Sequence, residues 1–299
     1  MNTATLNTNS FWAYLQLTRP ANIITAWADV LAGIAASGFS VLDNPLPVAW
    51  LILATTGLYG GGVVFNDVFD ADLDAKERPE RPIPSGRSSR RGAVVLGSVF
   101  LSVGVFAAAQ VSWLSFCIAC GVAAAALLYD AYGKHYRFFG PLNMGICRGG
   151  NLLLGVSILS PMLRENWYLA LIPITYIAAI TAISQGEVHG GKRSTGVVAL
   201  ILMGMVIGGL LGLGWFNKSY FLAVLPFVIL LSWRVMLPFM QAVSHPSAAN
   251  IRTAVRSGVL SIIVLDATLS CCFAGFTYGL LSLSLLPISM MLAKLFAVT

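Results

Sequence analysis

Long apolar runs separated by short polar stretches dominate the chain. Segments at about 21–39, 46–66, 92–110, 112–130, 141–160, 167–185, 195–215, 219–241, 254–273 and 277–296 each approach the ~20 residues that a helix needs to cross a bilayer. The pattern predicts an all-α fold, a polytopic transmembrane helical bundle. Residues 1–20 read differently, as a polar tail and a short interfacial helix. Phe11, Trp12, Tyr14 and Leu15 stand at headgroup level, and Arg19-Pro20 closes the helix. Pro287 interrupts the last run, which makes the tenth segment the least regular. The loops are short and nothing is of low complexity, so 21–299 is expected to form a single transmembrane helical domain.

Composition supports the same class. Hydrophobic residues make up 57% of the chain and charged residues 10%, where a soluble domain carries roughly 25% charged residues. The formal net charge of +6 raises nucleic acid as a partner, but the positions of the basic residues argue against it. With the amino terminus inside, 14 of the 18 Lys and Arg fall in inner loops and at inner helix ends, two fall outside, and Arg148 and Arg234 lie within segments. That asymmetry is the positive-inside bias of a membrane protein, with both long charged loops opening to the cytoplasm. The five cysteines, including Cys117-x-x-Cys120, sit in apolar runs and read as small hydrophobes. The first twenty residues lack the apolar core of a cleavable signal peptide.

The chemistry concentrates where the second apolar run ends, at Asn66-Asp67-Val68-Phe69-Asp70-Ala71-Asp72-Leu73-Asp74. On a helix continued at 100° per residue, Asn66, Asp67, Asp70 and Asp74 fall within an arc of about 100°, and Asp72 points away. Carboxylates and an amide on one stripe repel unless a hard cation joins them, and such oxygen donors suit Mg²⁺ together with substrate phosphate. Lys76, Arg78, Arg81, Arg87, Arg90 and Arg91 follow directly, a cationic loop suited to a polyanion, with Arg78 and Arg81 nearest the acids.

Asn66-Asp67-x-x-Asp70-x-x-x-Asp74, followed by Arg81-Pro82-Ile83-Pro84-Ser85-Gly86-Arg87, resembles the first aspartate-rich motif of the UbiA superfamily of intramembrane prenyltransferases, and within it the EboC-like subgroup. The resemblance extends over most of the chain. It implies nine core helices, so that the tenth, C-terminal segment rests on the apolar pattern, with Asp67, Asp70 and Asp74 catalytic and, with Asn66, Mg²⁺-binding. It implies a site Asn at Asn22, a phosphate-binding Lys at Lys134 and a second site Asn at Asn151. The loop from Ser184 to Thr195 stands at the second aspartate-rich motif, where Glu187 keeps one carboxylate as metal and catalytic ligand but Gly191 replaces the other. His189, Lys192 and Arg193 lie beside them, and Lys192 offers fixed positive charge in place of metal charge.

Arg148 and Asn151 share a face at i, i+3. Arg148 is read either as a bidentate clamp on diphosphate or as an ion-pair partner of Asp29 or Asp266. Asp29 is read equally as a helix partner or a substrate contact, and Arg234 and Asp266 as packing partners. Trp27, Phe65 and Tyr129 are aromatic faces suited to steadying a carbocation. The implied function is a membrane prenyltransferase with a prenyl diphosphate donor, a lipophilic acceptor and Mg²⁺, surrounded by membrane lipid and without nucleic acid. The alternative is a non-catalytic relative that binds or exports a lipid-like metabolite, favoured by the loss at Gly191.

Overall fold

The computed structural model describes residues 10–136, 138–186, 190–216 and 220–296. A short helix α1 (Ser10–Leu17) leads into α2 (Pro20–Ser37), which starts on Pro20, a residue preorganised for a first helical turn. Then follow α3 (Pro45–Phe69), the short α4 (Ala71–Glu77), α5 (Arg90–Ala109), α6 (Trp113–Ala131) and α7 (Phe139–Val156). Ser89 and Ser112 cap α5 and α6, their hydroxyls accepting from Gly92 N and Ser115 N at 3.0 Å each. The second half comprises α8 (Met162–Asn166), α9 (Leu171–Ser184), α10 (Arg193–Phe216), α11 (Phe221–Ser244), α12 (Ala248–Ala274), α13 (Phe276–Leu283) and α14 (Leu285–Leu295).

Every apolar run expected from the sequence is helical. The largest shift is at α12, which starts six residues early because Ser247 caps it through Asn250 N, and Arg252 and Arg256 ride on its exposed side. The tenth run breaks at Ser284 into α13 and α14, three residues before Pro287. Among the described residues, eight helical stretches are long and apolar enough to cross a membrane. Helices α2 and α7 are not in that set. Their apolar residues are diluted by Asn22, Thr25 and Asp29 on α2, and by Asn143, Arg148 and Asn151 on α7, all buried.

Those two helices lie at the centre. Fifteen of the eighteen residues of α2 are buried against α7, α12, α14 and α3. Close approach depends on glycine, as in membrane bundles that lack a hydrophobic force between helices. A Cβ on Gly33 would stand 2.1 Å from Leu152 O, and one on Gly155 2.2 Å from Val30 O, so the α2–α7 crossing admits neither. The C-terminal helix closes over α2: Ser289 Oγ donates to Ala21 O at 2.9 Å, and Phe296 meets Trp12 of α1 with ring centroids 4.8 Å apart.

Candidate active site

The helical repeat runs through the α3–α4 junction. Asp70 N–H donates to Asn66 O at 3.0 Å, Asp74 N–H to Asp70 O at 2.8 Å, and Arg78 N–H to Asp74 O at 2.8 Å. The stripe therefore forms as the spacing predicts. Asp67 and Asp74 are buried, Asp70 is half-buried, and the Asp72 side chain is 87% exposed. Among the described residues Asp72 pairs with the exposed Arg90 alone, at 3.4 Å, a contact worth about 1 kcal/mol at most.

Cationic side chains meet each inward acid. Arg81 Nη1 lies 2.8 Å from Asp74 Oδ2 and 3.3 Å from Asp67 Oδ1, Arg19 Nη2 lies 2.7 Å from Asp67 Oδ1, and Lys134 Nζ lies 2.5 Å from Asp70 Oδ1. Asn66 Nδ2 donates to Asp130 Oδ1 at 3.0 Å. The Pro-Ile-Pro-Ser-Gly turn after Arg81 folds back on itself, Ser85 N–H reaching Arg81 O and Ser88 N–H reaching Pro82 O at 3.0 Å each, with Gly86 at φ 74°. That turn aims Arg81 inward and Arg87 outward, where Arg87 Nη1 donates to Gln16 Oε1 of α1 at 2.8 Å. Arg78 closes α4, half-buried, without an ion pair among the described residues. Burial pushes the Asp74 carboxyl above the usual carboxylate range, Arg81 pulls it back in part, and Asp67 and Asp70 add to the push.

Behind this mouth lies a cavity of about 230 Å³ between α3, α6 and α7. Arg19, Asn66, Tyr129 and Asp130 form its polar entrance; Leu58, Val63, Val122, Ala126 and Met144 form an apolar wall; Tyr59, Arg148 and Asn151 line the inner end. Tyr59 and Asn66 are seven residues apart on α3, about 10 Å along the axis. Arg148 donates to Asp29 and to Thr25 Oγ1, and its guanidinium stacks over the Tyr59 ring at 4.9 Å. Asn151 Nδ2 donates to Asp29 Oδ2 and Ala26 O at 2.9 Å each, and Thr55 donates to Asn151 Oδ1 at 2.7 Å. Of the two readings of Arg148, the geometry shows the ion pair with Asp29. Asn22 is buried one turn into α2, its N–H on Arg19 O at 2.9 Å.

Of the second loop, only the flanks are described. Glu187 and His189 lie outside the described residues. Lys192 is exposed and, with Gln185, Gly186, Gly191 and Ile251, lines a different hollow of about 270 Å³ that shares no lining residue with the first. The structure thus groups Asn66, Asp67, Asp70, Asp74, Arg81, Lys134, Arg148 and Asn151 around one mouth and cavity, and leaves Lys192 elsewhere. Trp27 and Phe65 do not line the cavity. Trp27 Nε1 donates to Thr56 Oγ1 at 2.8 Å, and Phe65 packs between α3 and α5. Arg234 engages Ser261 Oγ at 3.1 Å rather than Asp266, which corrects the pairing expected for those two.

Two cavity residues escape a reading of the sequence. Arg19 looks like a membrane-surface arginine and Tyr59 like one more apolar-run aromatic. The step Arg19-Pro20 was the available signal, because a residue before proline is driven out of the helical region and can turn its side chain back across the helix start.

Oxygen donors at the mouth fit a hard divalent cation. Asp67 Oδ1 and Asp74 Oδ2 already share one cationic nitrogen, that of Arg81, and Asn66 adjoins them. Such a set suits Mg²⁺, which takes one or two carboxylates and completes its shell with water and phosphate.

An all-helical bundle with a charged mouth over an apolar-walled cavity defines a membrane-embedded protein that takes a polar head and an apolar body together. A family model, the UbiA prenyltransferase family, matches residues 23–257, and the chain belongs to that family. It is an integral membrane protein. Digeranylgeranylglyceryl phosphate synthase of Methanothrix thermoacetophila is 33% identical over 149 residues, a match spanning 49% of this chain and only 55% of that relative. The protein of the same name from Natronomonas pharaonis is 27% identical over 241 residues, covering 80% and 86%. The solved structure of a UbiA homolog from Archaeoglobus fulgidus bound to GPP and Mg2+ superposes with a TM-score of 0.60 at 15% identity, over 91% of this chain and 99% of that one. The likeness shows a shared fold.

Proposed function

We propose that this protein transfers a prenyl group from a prenyl diphosphate to a lipophilic acceptor. The observation that carries the reading is the pairing of buried Asp67 and Asp74 with Arg19 and Arg81 at the mouth of an apolar-walled cavity. Each ion pair is ready to exchange: a diphosphate can take the arginines and Lys134, freeing carboxylates for a cation. The ligands of a UbiA homolog, GPP and Mg2+, support that assignment.

Asn66, Asp67 and Asp74 would hold Mg²⁺, with Asp70 and the loop residue Glu187 as further oxygen donors. When bound, Mg²⁺ neutralises the departing diphosphate oxygens. The chain's own groups do the remainder. Arg81, Arg19, Arg78 and Lys134 donate to the diphosphate as the allylic C–O bond breaks and its electron pair leaves on oxygen. Tyr59 and Tyr129 present ring faces to the resulting carbocation, worth on the order of 1 kcal/mol each. Leu58, Val63, Val122 and Met144 keep water from it. The names of the relatives support a lipid acceptor. The charge asymmetry of the loops supports a mouth on the cytoplasmic face.

The test is incubation of purified protein with Mg²⁺ and radiolabelled prenyl diphosphates of several lengths, with and without lipid extract from the host. Mg²⁺-dependent diphosphate release with label moving into lipid is expected. Tight binding without release at any chain length would replace catalysis by lipid-metabolite binding.

A further inference from the structure

Asp29 of α2, Arg148 of α7 and Asp266 of α12 meet where the three central helices touch, at 0%, 4% and 0% exposure. Arg148 and Asn151 both donate to Asp29 Oδ2. The other oxygen of Asp29 and both oxygens of Asp266 have no hydrogen-bond donor among the described residues. Helices α2 and α12 pack on each other, both carboxyls are fully buried, and that of Asp266 neighbours that of Asp29. With both carboxyls ionised, two carboxylates stand beside one guanidinium, which pairs with Asp29, leaving a net negative charge and three orphan acceptors.

One proton cancels the surplus charge and gives Asp29 Oδ1 its donor, leaving one neutral carbonyl oxygen of Asp266 in place of three orphan acceptors. We propose that Asp29 and Asp266 hold a single proton between them, carried on Asp266 and donated to Asp29 Oδ1, so that the three helices are joined by a neutral centre of one ion pair and one carboxylic acid. A metal cation is a poorer occupant: no group of three acidic or other ligating side chains converges among the described residues, and Ile263, Val264 and Leu265 surround Asp266 on its own helix.

The other titratable groups that approach are accounted for. Tyr176 of α9 donates to Gly258 O at 2.9 Å, and Arg234 of α11 donates to Ser261, both one to two turns along α12. Tyr59 of α3 lies under Arg148. Tyr278 of α13 is half-buried near the far end of α12, and Lys294 of α14 is exposed. Neither acid lines the cavity, so this centre does not rest on the prenyl-transfer reading.

An unfolded aspartate loses its proton near pH 4. Folding at neutral pH therefore takes up one proton, and the folding equilibrium constant falls up to tenfold per pH unit while the centre stays loaded. Infrared spectroscopy of the whole protein in lipid nanodiscs tests this without any variant. A protonated-carboxyl carbonyl band is expected at neutral pH, slow to shift in deuterated water because the site is dry. Asp266→Asn, which carries its own N–H donors, should lose that band, melt near the wild-type temperature and fall less steeply with rising pH. Asp72→Asn, an exposed control, should keep the band. Absence of the band from the wild-type protein at neutral pH overturns the proposal. So does Asp266→Asn melting as low as Asp266→Ala with the pH slope unchanged, or stabilisation by sodium but not by choline chloride. None of these readouts involves turnover.

Discussion

Arg19 adopts φ 46° and ψ 66°, a left-handed conformation that costs a residue with a side chain about 1–2 kcal/mol. The strain places its guanidinium on Asp67, and so links the start of α2 to the acid stripe. Residue-level geometry was legible in the sequence where one helical repeat governed it: the spacing put Asp72 outside, and its side chain is exposed. Arg19 and Tyr59 were not legible, because their partners come from other helices and no local periodicity encodes that. Asp67→Ala and Asp74→Ala should each weaken Mg²⁺-dependent binding of a prenyl diphosphate at least about tenfold, roughly 1.4 kcal/mol, while Asp72→Ala changes it less than about twofold. Titration calorimetry decides, and equal losses at all three positions would contradict the stripe. In the second loop, Gly191→Asp should raise Mg²⁺ affinity by restoring an oxygen donor, provided the buried Ile251 shifts its δ-methyl, which stands 2.8 Å from the Cβ position. Glu187→Ala should abolish diphosphate release. If both variants leave metal binding and release unchanged, that loop has no part in the chemistry.

At the scale of elements, the apolar runs gave helices at every expected place, because burial in lipid leaves a single segment no other way to satisfy its backbone. Which helices would be central was less legible. Helices α2 and α7, which are not among the stretches apolar enough to cross a membrane, are interior because their buried polar side chains find partners there, and the clue was their composition rather than their period. Their crossing predicts a sharp contrast between glycines. Gly155→Ala should destabilise the bundle by about 3 kcal/mol or more, since its methyl group meets backbone rather than a movable side chain. Gly121→Ala, with nothing within 4 Å, should be neutral or raise stability by up to about 1 kcal/mol through helix propensity. Thermal denaturation in one detergent, followed on both variants, measures the difference.

For the whole molecule, the loop charges predict which end faces the cytoplasm. In a background freed of Cys117, Cys120, Cys147, Cys271 and Cys272, single cysteines at the exposed positions Ser85 and Ser194 should react with an impermeant reagent only from the cytoplasmic side. Labelling from the opposite side would invert the bundle. The partners of α2 have a consequence for synthesis. Helix α2 emerges first among the long helices, yet Arg148 follows Asp29 by 119 residues, and the hydroxyl of Ser289 that seals Ala21 follows it by 268. At about 5–20 residues per second, the ion-pair partner arrives roughly 6–24 s after Asp29, and the seal later still. Until then a helix with a bare carboxyl must wait at the insertion machinery or sit shallow in the headgroups. Chains halted before residue 148 should therefore leave α2 accessible from the aqueous side, and the first helix made is among the last to settle.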